Sequence, residues 1–171
     1  AVPASRARGS AAGPLPDRSF NLLLADEGNK TLMRVRPGSD PAWVVAIPAN
    51  HRTLQISGAG LVVCSTGKGF WDVDLATGEV MRKVERFSGV TSAIRLGDGS
   101  TVLACGDTLR RVAADGSELV PVPLGRPVAR VLNRTAQGTW LYGNGDTVVE
   151  ADDSGKVVWS AKVEGKRCMI Y

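Results

Sequence analysis

The stretch TWLYGNGDTVVEADDSGKVVW, Thr139 to Trp159, holds three short apolar runs joined by two tight turns, each carrying a glycine. Apolar runs of this length, bounded by Gly, Asp and Ser, read as strands, and loops this short join antiparallel neighbours. The same pattern recurs at Leu61 to Arg82 (LVVCSTGKGFWDVDLATGEVMR) and at Ser100 to Val120 (STVLACGDTLRRVAADGSELV). The glycines before each first run, Gly60, Gly99 and Gly138, are spaced by 39 residues. Those of the first turn, Gly67, Gly106 and Gly145, keep the same spacing, and those of the second, Gly78, Gly116 and Gly155, are spaced by 38 and 39. Three columns in register make most of the chain one unit copied.

A repeat of about 39 residues built from strands and turns points to a propeller blade and not to a helical solenoid. The expected fold is therefore all-β, a β-propeller of four-stranded antiparallel blades at about 20–48, 52–85, 90–123 and 128–163, with a final strand at 166–171. In the later modules the innermost strands fall at Arg52 to Ile56, Ser92 to Leu96 and Ala129 to Asn133. The first module offers only Phe20 to Ala25, Thr31 to Val35 and Ala42 to Ile47, the second, third and fourth strands of a blade. The closing run RCMIY, Arg167 to Tyr171, stands where another innermost strand belongs. Two closures follow. Arg167 to Tyr171 can pair beside Phe20 to Asp26 and shut a four-bladed ring, or the modules form part of a larger ring, including one of eight blades shared by two copies.

Composition is that of a folded domain: 171 residues, 43% hydrophobic and 22% charged, long enough for one sizeable core. No apolar run approaches the roughly 18 residues that span a bilayer. Residues 1–19 form an Ala, Ser, Arg and Pro-rich leader without periodicity, and a small-residue start at Ala1 fits either a protein of an extracytoplasmic compartment, periplasmic or secreted, after signal removal, or a cloned fragment with an arbitrary start. The net charge of +4 owes part of its excess to Arg6, Arg8 and Arg18 in or beside that leader. No Lys/Arg run reaches the density of a nucleic-acid site. Cys64, Cys105 and Cys168 are too few and scattered for a disulfide framework, and no Cys/His cluster has zinc-ligand spacing.

VDLATGEVMR (Val73 to Arg82) and EADDSGKVVW (Glu150 to Trp159) resemble the repeat of the PQQ-like, quinoprotein-type β-propellers of bacteria. Asp74, Thr77 and Gly78 match in one module, and Ser154, Gly155 and Trp159 in another; Arg82 and Val120 stand in the tryptophan position of the other two. In that family the tryptophan docks each blade on its neighbour, so the resemblance implies that Trp159 is buried. Quinone-binding members hold their cofactor with calcium, carboxylates and often adjacent cysteines, none of which is matched here. No cofactor is therefore expected. Members with degenerate repeats act as scaffolds that bind other proteins.

No catalytic constellation emerges. His51, the only histidine, has no nucleophile beside it and reads as a solvated loop residue; Asp72 with Asp74 and Asp152 with Asp153 read as structural carboxylates; Trp71, Trp140 and Trp159 lie on strands where burial between blades is the default. In a propeller, the connection into each innermost strand and the loop after each second strand emerge on one end, where ligands usually sit. Those loops carry His51, Arg52, Lys68, Arg126, Lys166 and Arg167, the candidate ligand-binding residues. They suit an acidic glycan or a protein partner. The favoured function is a noncatalytic propeller that presents this basic face; the alternative is a polysaccharide lyase or hydrolase, or a degenerate quinoprotein, acting through the axial loops.

Overall fold

The computed structural model describes residues 21–48, 51–58 and 60–164. The leader, Lys166, Arg167, Cys168 and the strand expected at 166–171 lie outside them. Every regular element among the described residues is a strand. The first sheet holds β1 (Leu22–Asp26), β2 (Thr31–Val35) and β3 (Trp43–Ala46). The second holds β4 (Leu54–Ile56), β5 (Leu61–Thr66), β6 (Gly69–Asp74) and β7 (Val80–Val84). The third runs through β8 (Val90–Arg95), β9 (Thr101–Cys105), β10 (Thr108–Val112) and β11 (Val122–Pro123), and the fourth through β12 (Leu132–Arg134), β13 (Trp140–Asn144), β14 (Thr147–Ala151) and β15 (Val157–Lys162). Within each sheet the strands pair in chain order and antiparallel, the order of a propeller blade.

Local chemistry explains the turns. Oδ1 of Asp98, Asp115 and Asp152 accepts the backbone N–H and the hydroxyl of the serine two residues on, at 2.6 to 2.9 Å. Asp74 does the same for Ala76 and Thr77. Such side-chain bonds stand in for ladder bonds where the chain reverses. The aspartates recurring in the repeat are therefore turn formers.

The sheets stack in chain order through three apolar cores. Leu32, Trp43 and Ile47 meet Val62, Cys64, Trp71 and Val73 between the first and second sheets. Val63, Phe70 and Val84 meet Val90, Ala93, Leu103 and Val112 between the second and third. Val102, Ala104 and Leu109 meet Leu132, Trp140, Tyr142, Val149 and Ala151 between the third and fourth. Both faces of an inner sheet are thus buried, which is why β5 opens on four consecutive apolar residues, Leu61 to Cys64.

Polar side chains of the innermost strands tie each sheet to the next. Thr53 Oγ1 accepts the amide of Ala93 at 3.0 Å. Gln55 pairs with the Arg95 backbone like a short strand: Nε2 donates to its carbonyl at 3.1 Å, and Oε1 accepts its amide at 2.6 Å. One sheet further on, Ser92 Oγ accepts the amide of Leu132 at 3.2 Å.

Two expectations are corrected here. The outer strand of the third module, which the repeat places after the Asp115–Gly116 turn near the end of the 90–123 blade, shrinks to Val122–Pro123. Its ladder starts at Leu119, whose amide donates to the Arg111 carbonyl, but Pro121 and Pro123 have no N–H to continue it. Val120, standing in the tryptophan position, is exposed; Val122 and Pro123 make the contact with Gly155 of the fourth sheet instead. Trp159, expected to be buried, is 50% exposed. The reason is positional. Outer strands dock on the sheet that follows, and among the described residues no sheet follows the fourth.

Candidate functional site

The innermost strands β4, β8 and β12 converge on a groove of about 450 Å³, lined by Arg52 to Gln55, Ala93, Ile94 and Val131 to Arg134. Its floor is the backbone belt fixed by Thr53 and Gln55. Arg134 on its rim is already engaged, with Nη1 and Nη2 at 2.5 and 2.9 Å from the Asp153 carboxylate and the guanidinium 4.1 Å from the Trp140 ring centroid. Arg52 at the other rim is exposed and makes no ion pair among the described residues. Its amide, with that of Thr53, donates to the buried hydroxyl of Ser65, so the backbone at this rim is pinned to β5.

The loops that lead into innermost strands lie against the loops after the second strands. The Phe87 amide donates to the Lys68 carbonyl and that of Val90 to Gly67; the Leu124 amide donates to Asp107 and that of Val128 to Gly106. Arg52, Lys68 and Arg126 therefore emerge at one end of the array, all exposed. They do not share a pocket. Lys68 borders a separate depression of about 600 Å³ with Pro48, Glu85, Phe87, Ser88 and Gly89, while Arg126 stands on the crossover between the third and fourth sheets.

Three of the acidic groups on this end are held locally, while Glu27, Asp107 and Glu164 are exposed and make no ion pair among the described residues. Asp26 accepts the amide and side chain of Asn29, which hold its carboxyl below the ordinary range. Glu85 accepts the Trp71 indole N–H at 2.7 Å. Asp146 lies 3.3 Å from Lys162, which with Thr147 lowers its carboxyl as well. Arg52, Lys68 and Arg126 are absent from every ion pair among the described residues.

His51 departs from the expected solvated loop position: it is 2% exposed, tucked under the crossover with Nδ1 3.1 Å from the Pro48 carbonyl. Nε2 has no partner among the described residues. A buried imidazole so placed buttresses the backbone beside Arg52 and does not face solvent. Lys166 and Arg167 lie outside the described residues. Asp72 is buried against Arg95, and Asp74 caps its turn. Among the described residues no group of three His, Cys, Asp or Glu side chains could hold a metal ion. Burial pushes the Cys64 thiol up to about 12 and the Cys105 thiol to about 11, far from the range of a reactive thiolate.

The groove residues Thr53, Gln55 and Asn133 escaped the sequence reading, which looked only at charge. The signal was there in RTLQI and VLNR, where polar side chains stand beside Leu54 and Leu132 along strands that must face one another near the axis.

No family model and no curated protein matches this chain. Solved structures do match. A protein of unknown function from Bacteroides caccae superposes with a TM-score of 0.62 at 19% identity, over 83% of this chain and 57% of its own. The hydrazine synthase of Kuenenia stuttgartiensis gives 0.69 at 13%, over 86% and 47%. The Pan2 WD40 domain of Neurospora crassa gives 0.65 at 10%, over 85% and 50%. This chain thus spans about half the length of these structures. At such identities the likeness shows fold alone, and with the four sheets stacked in chain order that fold is a β-propeller.

Proposed function

We propose that this chain is a noncatalytic β-propeller binding protein that presents the end bearing Arg52, Lys68 and Arg126 to an anionic partner, an acidic glycan or an acidic protein surface, in an extracytoplasmic compartment. The observation that carries the reading is the exposure of three cations at that end with no ion pair among the described residues. Of the carboxylates there, Asp26, Glu85 and Asp146 are occupied by local donors and Glu27, Asp107 and Glu164 are exposed, so the three cations are set among free acids as well, and the partner must engage the cations themselves. Unpaired surface cations on a rigid frame raise the local concentration of anions and steer their approach. A recognition surface of this kind needs no reacting group.

The test is titration with heparin, as a sulfated glycan, and with poly-glutamate, as an acidic peptide. Binding is expected to weaken with added salt, because exposed charges are screened beyond about 8 Å at physiological ionic strength. The triple variant Arg52→Glu, Lys68→Glu, Arg126→Glu is expected to lose at least about tenfold in affinity for the probe that binds. If the parent binds neither probe, or the triple variant binds as the parent does, the reading is wrong.

A further inference from the structure

The rule by which the sheets stack leaves one seat unfilled at each end of the array. Trp43 stands on the outermost strand of the first sheet, opposite Arg34 on β2. Its ring lies against Gly78 in the β6–β7 turn of the second sheet, so close that an added Cβ there would sit 2.8 Å from the ring carbons. The indole N–H donates to the Leu75 carbonyl of the same turn at 3.1 Å. Trp159 occupies the matching position on the outermost strand of the fourth sheet, opposite Glu150 on β14. Among the described residues it has no such seat, and half of it faces solvent.

The matching seat exists at the other end. Gly38, in the β2–β3 turn of the first sheet, has φ +78, the value that Gly78 has, but nothing lies within 4 Å of the position a Cβ would take. Beside it the outer face of the first sheet exposes Leu22, Leu24 and Val44. Their neighbours by ladder position in the second sheet show what this face is for: Val62 and Cys64, equivalent to Leu22 and Leu24, are completely covered by the first sheet. A tryptophan without a seat and a seat without a tryptophan thus stand at opposite ends of one array. They do not meet within a chain, since both are exposed.

We propose that two copies of this chain dock end to end at both junctions, each seating its Trp159 on the Gly38 turn of the other and closing one ring of eight sheets. A two-fold axis makes the two junctions identical and leaves no sheet face open. Apolar faces left by a missing neighbour are interaction surfaces in soluble proteins. The proposal stands apart from the anion-binding reading, since neither junction uses Arg52, Lys68 or Arg126.

Sedimentation equilibrium on the full 171-residue chain is expected to give twice the chain mass. Trp159→Glu, folded by circular dichroism, is expected to raise the dissociation constant at least about tenfold. Should that variant fail to fold, Val44→Arg on the receiving face serves in its place. The geometry is read by disulfide trapping that keeps Trp159: Ser39→Cys with Val158→Cys, the exposed neighbour of Trp159, in a background where Cys64, Cys105 and Cys168 are alanine. Oxidation is expected to yield a covalent dimer. A single-chain mass for the parent at all concentrations, a cross-link within one chain, or a ladder of open multimers would each overturn the ring of two.

Discussion

Nη2 of Arg95 lies 2.6 and 2.7 Å from the two carboxylate oxygens of Asp72, joining the innermost strand of the third sheet to the third strand of the second. The pair is withdrawn from water, with side chains 15% and 4% exposed, and the guanidinium also stands 5.6 Å from the Phe70 ring centroid. Removing one partner of such a pair strands the other charge in the core. Asp72→Ala is therefore expected to destabilise the fold by about 3 to 5 kcal/mol, whereas the double variant Asp72→Leu, Arg95→Met restores most of the loss. Urea unfolding of the single and double variants checks this; equal losses in both would show that the ion pair is not what the site depends on.

The two tryptophans in equivalent positions should respond differently. Trp43 is 8% exposed and seated on the second sheet, so Trp43→Ala is expected to cost about 3 to 5 kcal/mol, the range for large aromatic truncations. Trp159→Ala, measured at concentrations where single chains predominate, is expected to change stability by less than about 1 kcal/mol, as surface substitutions do. Chemical denaturation followed by circular dichroism separates the cases.

The difference between these two residues also marks what the sequence could reveal. Glycines at a constant spacing and Asp-x-Ser turns act within a few residues, so sheets, strand order and hairpins were legible from local chemistry. Burial of Trp159 was not, because it depends on whether a neighbouring sheet exists. Trp43 went unnoticed as a docking residue because it lies five positions after Gly38, where Arg82 and Trp159 lie four after Gly78 and Gly155. His51 is buried with its ring on the Pro48 carbonyl, and the groove arises from bonds such as Gln55 to Arg95, 40 residues apart. Neither has a local signature.

The turn glycines allow packing and backbone strain to be told apart. Gly106 has φ +60 with open space around a hypothetical Cβ, so Gly106→Ala should carry only the left-handed penalty of about 1 to 2 kcal/mol. Gly78 has φ +78 and also abuts the Trp43 ring. Gly78→Ala is thus expected to lower stability more than Gly106→Ala, and to lose that excess in a Trp43→Ala background. A melting series on the four proteins tests the coupling; strictly additive effects would refute the contact.

Thiol chemistry reports on opening of the second sheet. Cys64 is wholly buried, and its thiol is pushed up to about 12 by loss of hydration. At about pH 8 it is expected to resist a thiol reagent at a rate set by unfolding, while partly exposed Cys105 reacts sooner. Labelling followed by peptide mass analysis would give the order, and faster modification of Cys64 than of Cys105 would contradict the packing of β5.

Acid should act on the turns first. The Asp74 carboxyl is held below the ordinary 3.8 chiefly by the Thr77 amide, and those of Asp98, Asp115 and Asp152 chiefly by the serine hydroxyls of Ser100, Ser117 and Ser154. These donors bond the ionised carboxylate, so the folded chain binds protons less readily than the unfolded one. The stabilisation is fully present above 3.8, the unfolded value, and is lost as pH falls through the lowered folded values. The urea midpoint is therefore expected to be flat above about pH 5 and to fall steeply between about pH 4 and pH 2. Replacing the four aspartates with asparagine keeps an acceptor oxygen but removes the titration, so the variant should start less stable and show a shallower decline. An unchanged slope in that variant would place the acid sensitivity elsewhere.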